Sequence, residues 1–159
     1  AGIQMKSGEH VDADAIIIAT GLKLKMMGGI DFTVDGKPVD VSDHLVFKGL
    51  MLDGIPNYSF AIGYTNSSWT LKVGLVCGYL CKLLKEMDRQ GKTVCIPRRP
   101  EGEIVTRPLM DFGAGYVKRA VASMPKQGDD YPWEMSSDYT TDIALFKRGK
   151  VIDPALELF

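Results

Sequence analysis

One stretch limits the fold of this chain more than any other. Tyr58-Ser59-Phe60-Ala61-Ile62 is mostly apolar and closes on Gly63, Tyr64-Thr65-Asn66-Ser67-Ser68 is polar, and a helical pattern then runs from Trp69 to about Gln90. A short apolar run ending in glycine reads as a strand, and Asn and Ser are favoured helix caps. Leu71, Val73, Leu75, Val76, Tyr79, Leu80, Leu83, Leu84 and Met87 carry the helix, and Gly91 is its C-terminal stop. Apolar residues surround its first three turns, so the spacing predicts burial on most sides there. Strand, glycine, polar loop and helix start together set free N–H groups and the positive end of a helix dipole beside a close backbone approach. That suits phosphate or a ring carrying negative charge. The plainer alternative is that Gly63 ends a strand and Asn66 or Ser68 caps a helix.

The flanking sequence reads as an α/β arrangement with hairpins. Ile3 and Met5 alternate with polar residues up to the turn Ser7-Gly8-Glu9. The following arm runs into Ala13-Asp14-Ala15-Ile16-Ile17-Ile18-Ala19-Thr20-Gly21, whose three β-branched residues are apolar on both faces, as in a strand buried in a parallel sheet. Ala19-Thr20-Gly21 repeats the strand-to-glycine form. Phe32-Thr33-Val34 and Lys37-Pro38-Val39 flank Asp35-Gly36, a two-residue hairpin turn. Leu45 to Leu52 is a further apolar stretch, ended by the turn at Asp53-Gly54-Ile55-Pro56-Asn57. Pro97, Pro100, Gly102 and Pro108 mark a linker or surface excursion, so residues 1–96 and 97–159 are read as two segments. In the second, Gly115 to Met124 is helical, Pro125-Lys126-Gln127-Gly128 stops it, and Ser136 or Ser137 caps a last helix ending before Gly149.

Composition removes several function classes. With 19 Lys+Arg against 20 Asp+Glu and a net charge of -1, the chain has no clustered basic surface for nucleic acid or anionic lipid, and Arg98-Arg99 reads as a solvated loop. No window of about 18 apolar residues is present to span a membrane. Cys77, Cys81 and Cys95 are odd in number and fit no zinc spacing, which points to a reducing, cytoplasmic setting. The start at Ala1-Gly2 reads as the edge of a piece of a longer chain.

No complete catalytic constellation appears. His10 and His44 read as surface residues without a metal cluster. Cys77 and Cys81 lie four apart on one helix face with no base beside them, and read as structural. Asp111-Phe112-Gly113 has the form of a kinase triplet, but no glycine-rich or catalytic loop accompanies it. Trp69 and Trp133 read as core anchors, with Trp69 placed at the loop–helix junction where it can also serve a ligand.

Asp14-Ala15-Ile16-Ile17-Ile18-Ala19-Thr20-Gly21-Leu22 resembles the Ala-Thr-Gly motif of class B flavoprotein monooxygenases, the flavin-containing and Baeyer–Villiger monooxygenases. The segment from Gly54 to Lys72 resembles the later FAD-proximal segment of that family. Gly115-Tyr116-Val117, Pro125-Lys126-Gln127-Gly128, Pro132-Trp133 and the Tyr139 to Gly149 helix resemble the C-terminal tail of its ethionamide-activating branch. The resemblance implies the C-terminal portion of a flavoprotein with two dinucleotide-binding domains: residues 1–96 from the FAD and NADP domains, and 97–159 an extension packed on the FAD domain. It puts Ala19, Thr20 and Gly21 at the crossing between those domains. It puts Gly63, Tyr64, Thr65, Asn66, Ser67, Ser68 and Trp69 against the flavin. The implied activity is NADPH reduction of FAD, addition of O2 to give a C4a-(hydro)peroxyflavin, and oxygenation of a ketone or a soft sulfur or nitrogen centre in a small organic substrate.

Departures from the family pattern shape the expectation for this chain. Neither G-x-G-x-x-G loop nor the histidine-containing fingerprint occurs in it, and Gly113-Ala114-Gly115-Tyr116-Val117-Lys118 fails at its last position. The chain alone is therefore expected to bind FAD weakly or not at all and to lack turnover. A non-catalytic binding or interaction module with the same fold is the alternative. An apolar strand at residues 15–19 and an apolar helix without their sheet partners lead to an expectation of self-association.

Overall fold

Ten short strands pair as five separate antiparallel hairpins or ladders, and the chain has one long helix. The computed structural model describes residues 1–159. The first hairpin joins β1 (Gly2–Gln4) to β2 (His10–Asp12). The second joins β3 (Phe32–Val34) to β4 (Lys37–Val39), and both turn residues, Asp35 and Gly36, adopt the positive φ that Asp-Gly supplies.

The apolar stretch at 45–52 folds on itself. β5 (Val46–Phe47) pairs with β6 (Met51–Leu52) across a tight turn in which Lys48 and Gly49 both have positive φ. Its uniformly apolar composition has a direct cause, because it lies between two cores. Leu45, Phe47, Leu50 and Met51 face a cluster with Leu75, Val76, Tyr79, Leu83, Met87, Trp133 and Phe146. Val46 and Leu52 face a second cluster with Ile55, Ile62, Leu109, Val117, Ala120 and Met124. Both clusters draw residues from either side of position 96.

The long helix α1 (Trp69–Gln90) occupies the expected span and ends on Gly91 in the left-handed conformation. Its burial differs from the sequence expectation. Only one face is covered, by Lys72, Leu75, Val76, Tyr79, Leu83 and Met87, while Leu71, Gly74, Cys77, Gly78, Cys81 and Leu84 face outward. No element of this chain packs on that outer face, which is why the all-round apolar sequence is only half used. On the covered face each buried aliphatic side chain contributes about 1.5–3 kcal/mol relative to exposure, and truncating Leu83 to Ala would cost about 2–5 kcal/mol.

After the helix, β7 (Cys95–Pro97) pairs with the C-terminal strand β10 (Leu156–Leu158), so the chain end is tied beside the end of α1. The proline-rich stretch is less free than expected, because β8 (Thr106–Pro108) pairs with β9 (Lys126–Gly128). Arg99 is exposed as expected, but it is also tied down, since its Nε donates to Asp53 Oδ2 at 2.9 Å. Between β8 and β9 lies α2 (Gly115–Ala120), extended by a 3-10 turn. The last helix, α3 (Tyr139–Ile143), continues as a π turn to Arg148 and stops before Gly149. Its cap is Asp138, not Ser136 or Ser137: the Asp138 carboxylate accepts from the Thr141 N–H at 2.6 Å.

The largest correction concerns residues 13–21. No strand forms there, and Ile16, Ile17 and Ile18 are 51%, 91% and 82% exposed. No backbone N–H from Asp14 to Lys25 donates to a carbonyl, because no strand of this chain runs alongside. A sequence written for burial on both faces needs sheet neighbours and helices to cover it, and none is supplied by residues 1–159. Residues 58–62 likewise form no ladder; Phe60 N–H donates to Leu50 O at 2.8 Å and is their one backbone tie as a donor.

Candidate functional site

The loop between Ile62 and α1 is held from one side and open on the other. From Ala61 through Thr70 no backbone N–H donates to another residue of the chain. The loop therefore takes its shape from side-chain anchors and from close packing. Gly63 is the closest approach: a Cβ built on it would lie 2.4 Å from Trp69 Cγ and Cδ2, so only glycine lets the indole fold back there. Tyr64 is buried, its hydroxyl donating to Asp142 Oδ2 at 2.5 Å, and its ring meets Tyr139 edge-on at 6.3 Å. Asn66 Nδ2 donates to Ser137 O at 3.4 Å. Ser68 occupies the N-cap but spends its hydroxyl on Thr70 Oγ1, 3.0 Å away, and Ser67 is exposed.

On the open side lies a cavity of about 520 Å³, within the usual range for small-molecule sites. Ala61, Ile62, Thr65 and Trp69 form one wall, Leu24, Lys25, Met26, Met27 and Gly28 another, and Tyr58, Phe60, Met110, Phe112 and Tyr116 the rest. Eleven of the fourteen lining residues are hydrophobic, so the space suits a flat or flexible apolar group better than a bare phosphate. Tyr58 is braced from behind by Phe32, with ring centroids 4.8 Å apart and nearly perpendicular, which explains what the β3–β4 hairpin does for the site. Burial pushes the Tyr58 hydroxyl above its ordinary pKa, which keeps it neutral.

A second cavity, of about 400 Å³, adjoins the first and shares Leu24 and Tyr116 with it. Thr20, Gly21, Leu22, Lys23, Arg119, Ala120 and Ser123 complete its lining. Gly21 has φ +81, and Arg119 Nη2 donates to Leu22 O at 3.2 Å, tying the otherwise unpaired segment to α2. The two motifs singled out in sequence thus line neighbouring cavities, Thr20 and Gly21 one and Thr65 and Trp69 the other, with Leu24 and Tyr116 common to both. Ala19 is exposed and lines neither cavity, Gly63 sits behind the wall, and Tyr64, Asn66, Ser67 and Ser68 face the C-terminal segment or solvent.

Other site residues escaped the sequence reading. Phe112, set aside with a chance triplet, lines the first cavity with Met26, Met27 and Met110. Lys72 is 1% exposed and its Nζ lies 3.0 Å from Asp142 Oδ2. The available signal was a lysine on the core-facing side of an apolar helix, which demands a buried partner. His44 is not a surface residue: its Nδ1 lies 2.6 Å from Asp53 O, and Asp53 also accepts from Leu45 N–H and Arg99. Cys77 and Cys81 are exposed, and only Cys95 is buried.

Comparison with known proteins gives this geometry a context. The chain is 45% identical over 155 residues to the FAD-containing monooxygenase EthA of Mycobacterium tuberculosis strain H37Rv, covering 98% of this chain and 32% of that protein. The chain is homologous to FAD-containing monooxygenases. EthA of Mycolicibacterium smegmatis is 41% identical over 155 residues, with 98% and 32% covered. The protein named "Probable FAD-binding monooxygenase AlmA" of Acinetobacter baylyi is 42% identical over 156 residues, with 98% and 31% covered. The chain therefore spans about a third of the length of the curated relatives it matches. No protein-family model and no solved structure matches it. No helix is long and apolar enough to cross a membrane.

Proposed function

We propose that this chain is the flavin-facing, C-terminal third of an FAD- and NADPH-dependent monooxygenase that uses O2 to oxygenate a ketone or a soft sulfur or nitrogen centre in a small organic substrate. The observation that supports it most is the apolar cavity walled by Ala61, Ile62, Thr65 and Trp69, in a chain that resembles FAD-containing monooxygenases over 98% of its length. Its residues fit the ring end of a flavin: a 520 Å³ apolar space, a glycine where a Cβ would collide with Trp69, and loop amides without internal acceptors. FAD would supply the O2-activating chemistry and NADPH the reducing equivalents.

The chain's own part in this reading is electrostatic and steric. The N-terminus of α1 carries roughly half a positive charge, and the free amides from Thr65 to Thr70 offer donors to an electron-rich ring edge. Phe60, Met110, Phe112 and Tyr116 give the same space an apolar lining. Three unpaired thiols suit a cytoplasmic setting, and the exposed Ile16–Ile18 segment suits self-association of the isolated chain. The test begins upstream of Ala1 in the gene. Two in-frame G-x-G-x-x-G motifs, and NADPH-dependent O2 consumption stimulated by a ketone or a sulfide, support the reading; an unrelated domain there refutes it.

A further inference from the structure

The loop that walls the apolar cavity has no backbone tie as a donor from Ala61 to Thr70, yet Thr65 and Trp69 must be held to form a wall. On the opposite side of that loop is a buried cluster joining three parts of the chain. Asp142, from α3, accepts from the Tyr64 hydroxyl at 2.5 Å and lies 3.0 Å from Lys72 Nζ in the first turns of α1. Lys72 Nζ also donates to Ser136 O at 2.5 Å and sits 5.1 Å from the centre of the Tyr64 ring. Tyr64, Lys72 and Asp142 are 4%, 1% and 1% exposed, and every buried polar side-chain atom has a partner. A charged pair is a costly way to fill a core, and apolar residues of the same volume often stabilise equally well. The geometry explains what it adds, because directional bonds fix Tyr64 and, with it, the adjoining Gly63 and the Trp69 indole that packs on it.

We propose that Asp142 is a positioning residue: through Tyr64 and Lys72 it latches the C-terminal helix to the cavity-forming loop and sets where Thr65 and Trp69 stand. The latch predicts that a change at Asp142 is felt at the cavity, which Asp142 does not line. Its relevance to flavin rests on the function proposed above, but its geometry does not.

The test uses the full chain labelled with fluorotryptophan, whose two tryptophans report separately. Trp133 in the core reports the fold, and Trp69 reports the loop. In Tyr64→Phe and in the paired apolar replacement Lys72→Met with Asp142→Leu, the Trp69 resonance is expected to move or broaden while the Trp133 resonance stays. If the paired variant loses the Trp133 signal, Tyr64→Phe alone decides. A Trp69 resonance unchanged in the folded variants overturns the latch and leaves a structural ion pair only. In the FAD-loaded protein extended upstream, the same variants should weaken FAD binding about tenfold, which corresponds to about 1.4 kcal/mol. Wild-type protein that binds no FAD would refute the flavin reading while the Trp69 arm still decides the latch; unchanged FAD affinity in variants with a displaced Trp69 would refute the latch's role at the flavin.

Discussion

The Asp142 carboxylate lies 3.0 Å from the Lys72 ammonium, and both side chains are only 2% exposed. Removing one partner of such a pair strands the other in a low-dielectric interior, at a cost of about 3–5 kcal/mol. Lys72→Met alone is therefore expected to lower the urea midpoint strongly. Lys72→Met combined with Asp142→Leu should recover most of that loss, because both desolvated charges are gone. A single variant as stable as the parent would show that water reaches the pair.

A second prediction concerns pH. The Asp53 hydrogen bond raises the His44 pKa above its usual 6.5, outweighing burial, which lowers it. A raised folded-state pKa gives stability that is complete below pH 6.5 and is lost as the pH climbs through the folded value. For Asp53, burial raises the pKa, but bonds from His44, Arg99 and the Leu45 N–H outweigh it and leave the carboxyl below 3.8. Its contribution is present above pH 3.8 and is lost as the pH falls through the depressed value. Thermal melts from pH 6 upward should thus show a fall in the parent that is flattened in His44→Gln. Identical pH profiles would remove His44 from the linkage.

Thiol reactivity separates the three cysteines. Cys77 and Cys81 stand on the uncovered face of α1, whereas burial pushes the Cys95 thiol up to about 11. A maleimide reagent at neutral pH should label two sites in the folded chain and a third only in denaturant, read by mass spectrometry. Rapid native labelling of Cys95 would contradict the pairing of β7 with β10.

The unpaired segment carries its own prediction. Ile17 at 91% exposed and Ile18 at 82% exposed lie on backbone whose N–H groups have no acceptor. Such a segment templates pairing with another copy. Light scattering of the isolated chain should show a mass that grows with concentration, and Ile17→Lys should bring it toward monomer. A concentration-independent monomeric parent would contradict this.

Local chemistry was legible in the sequence where neighbours in the chain decide it. Asp35-Gly36 specified its turn, Gly91 stopped α1, and the 3.6-residue spacing from Trp69 set the helix span. Pattern failed where partners decide. The run at Ile16–Ile18 encodes a doubly buried strand, but its exposure depends on which strands lie beside it. The outer face of α1 reads as core for the same reason. At the candidate site, Gly63 and Trp69 were recognisable because a glycine before a helix start has a steric meaning. Tyr64 was recognisable as part of the loop, but its direction was not: Asp142, 78 residues away, decides it. Phe112, Met26 and Met27 carry no local signal for the cavity that only the folding of three distant segments creates.

The flavin content of the protein purified with the sequence preceding Ala1, measured for the parent and for Gly63→Val, bears most directly on the functional reading. The parent should carry bound flavin whose absorbance is bleached by NADPH in the absence of O2, and Gly63→Val, whose side chain would collide with Trp69, should lose most of it. A colourless parent, or flavin retained and reduced equally in Gly63→Val, would contradict a flavin site at the loop before α1.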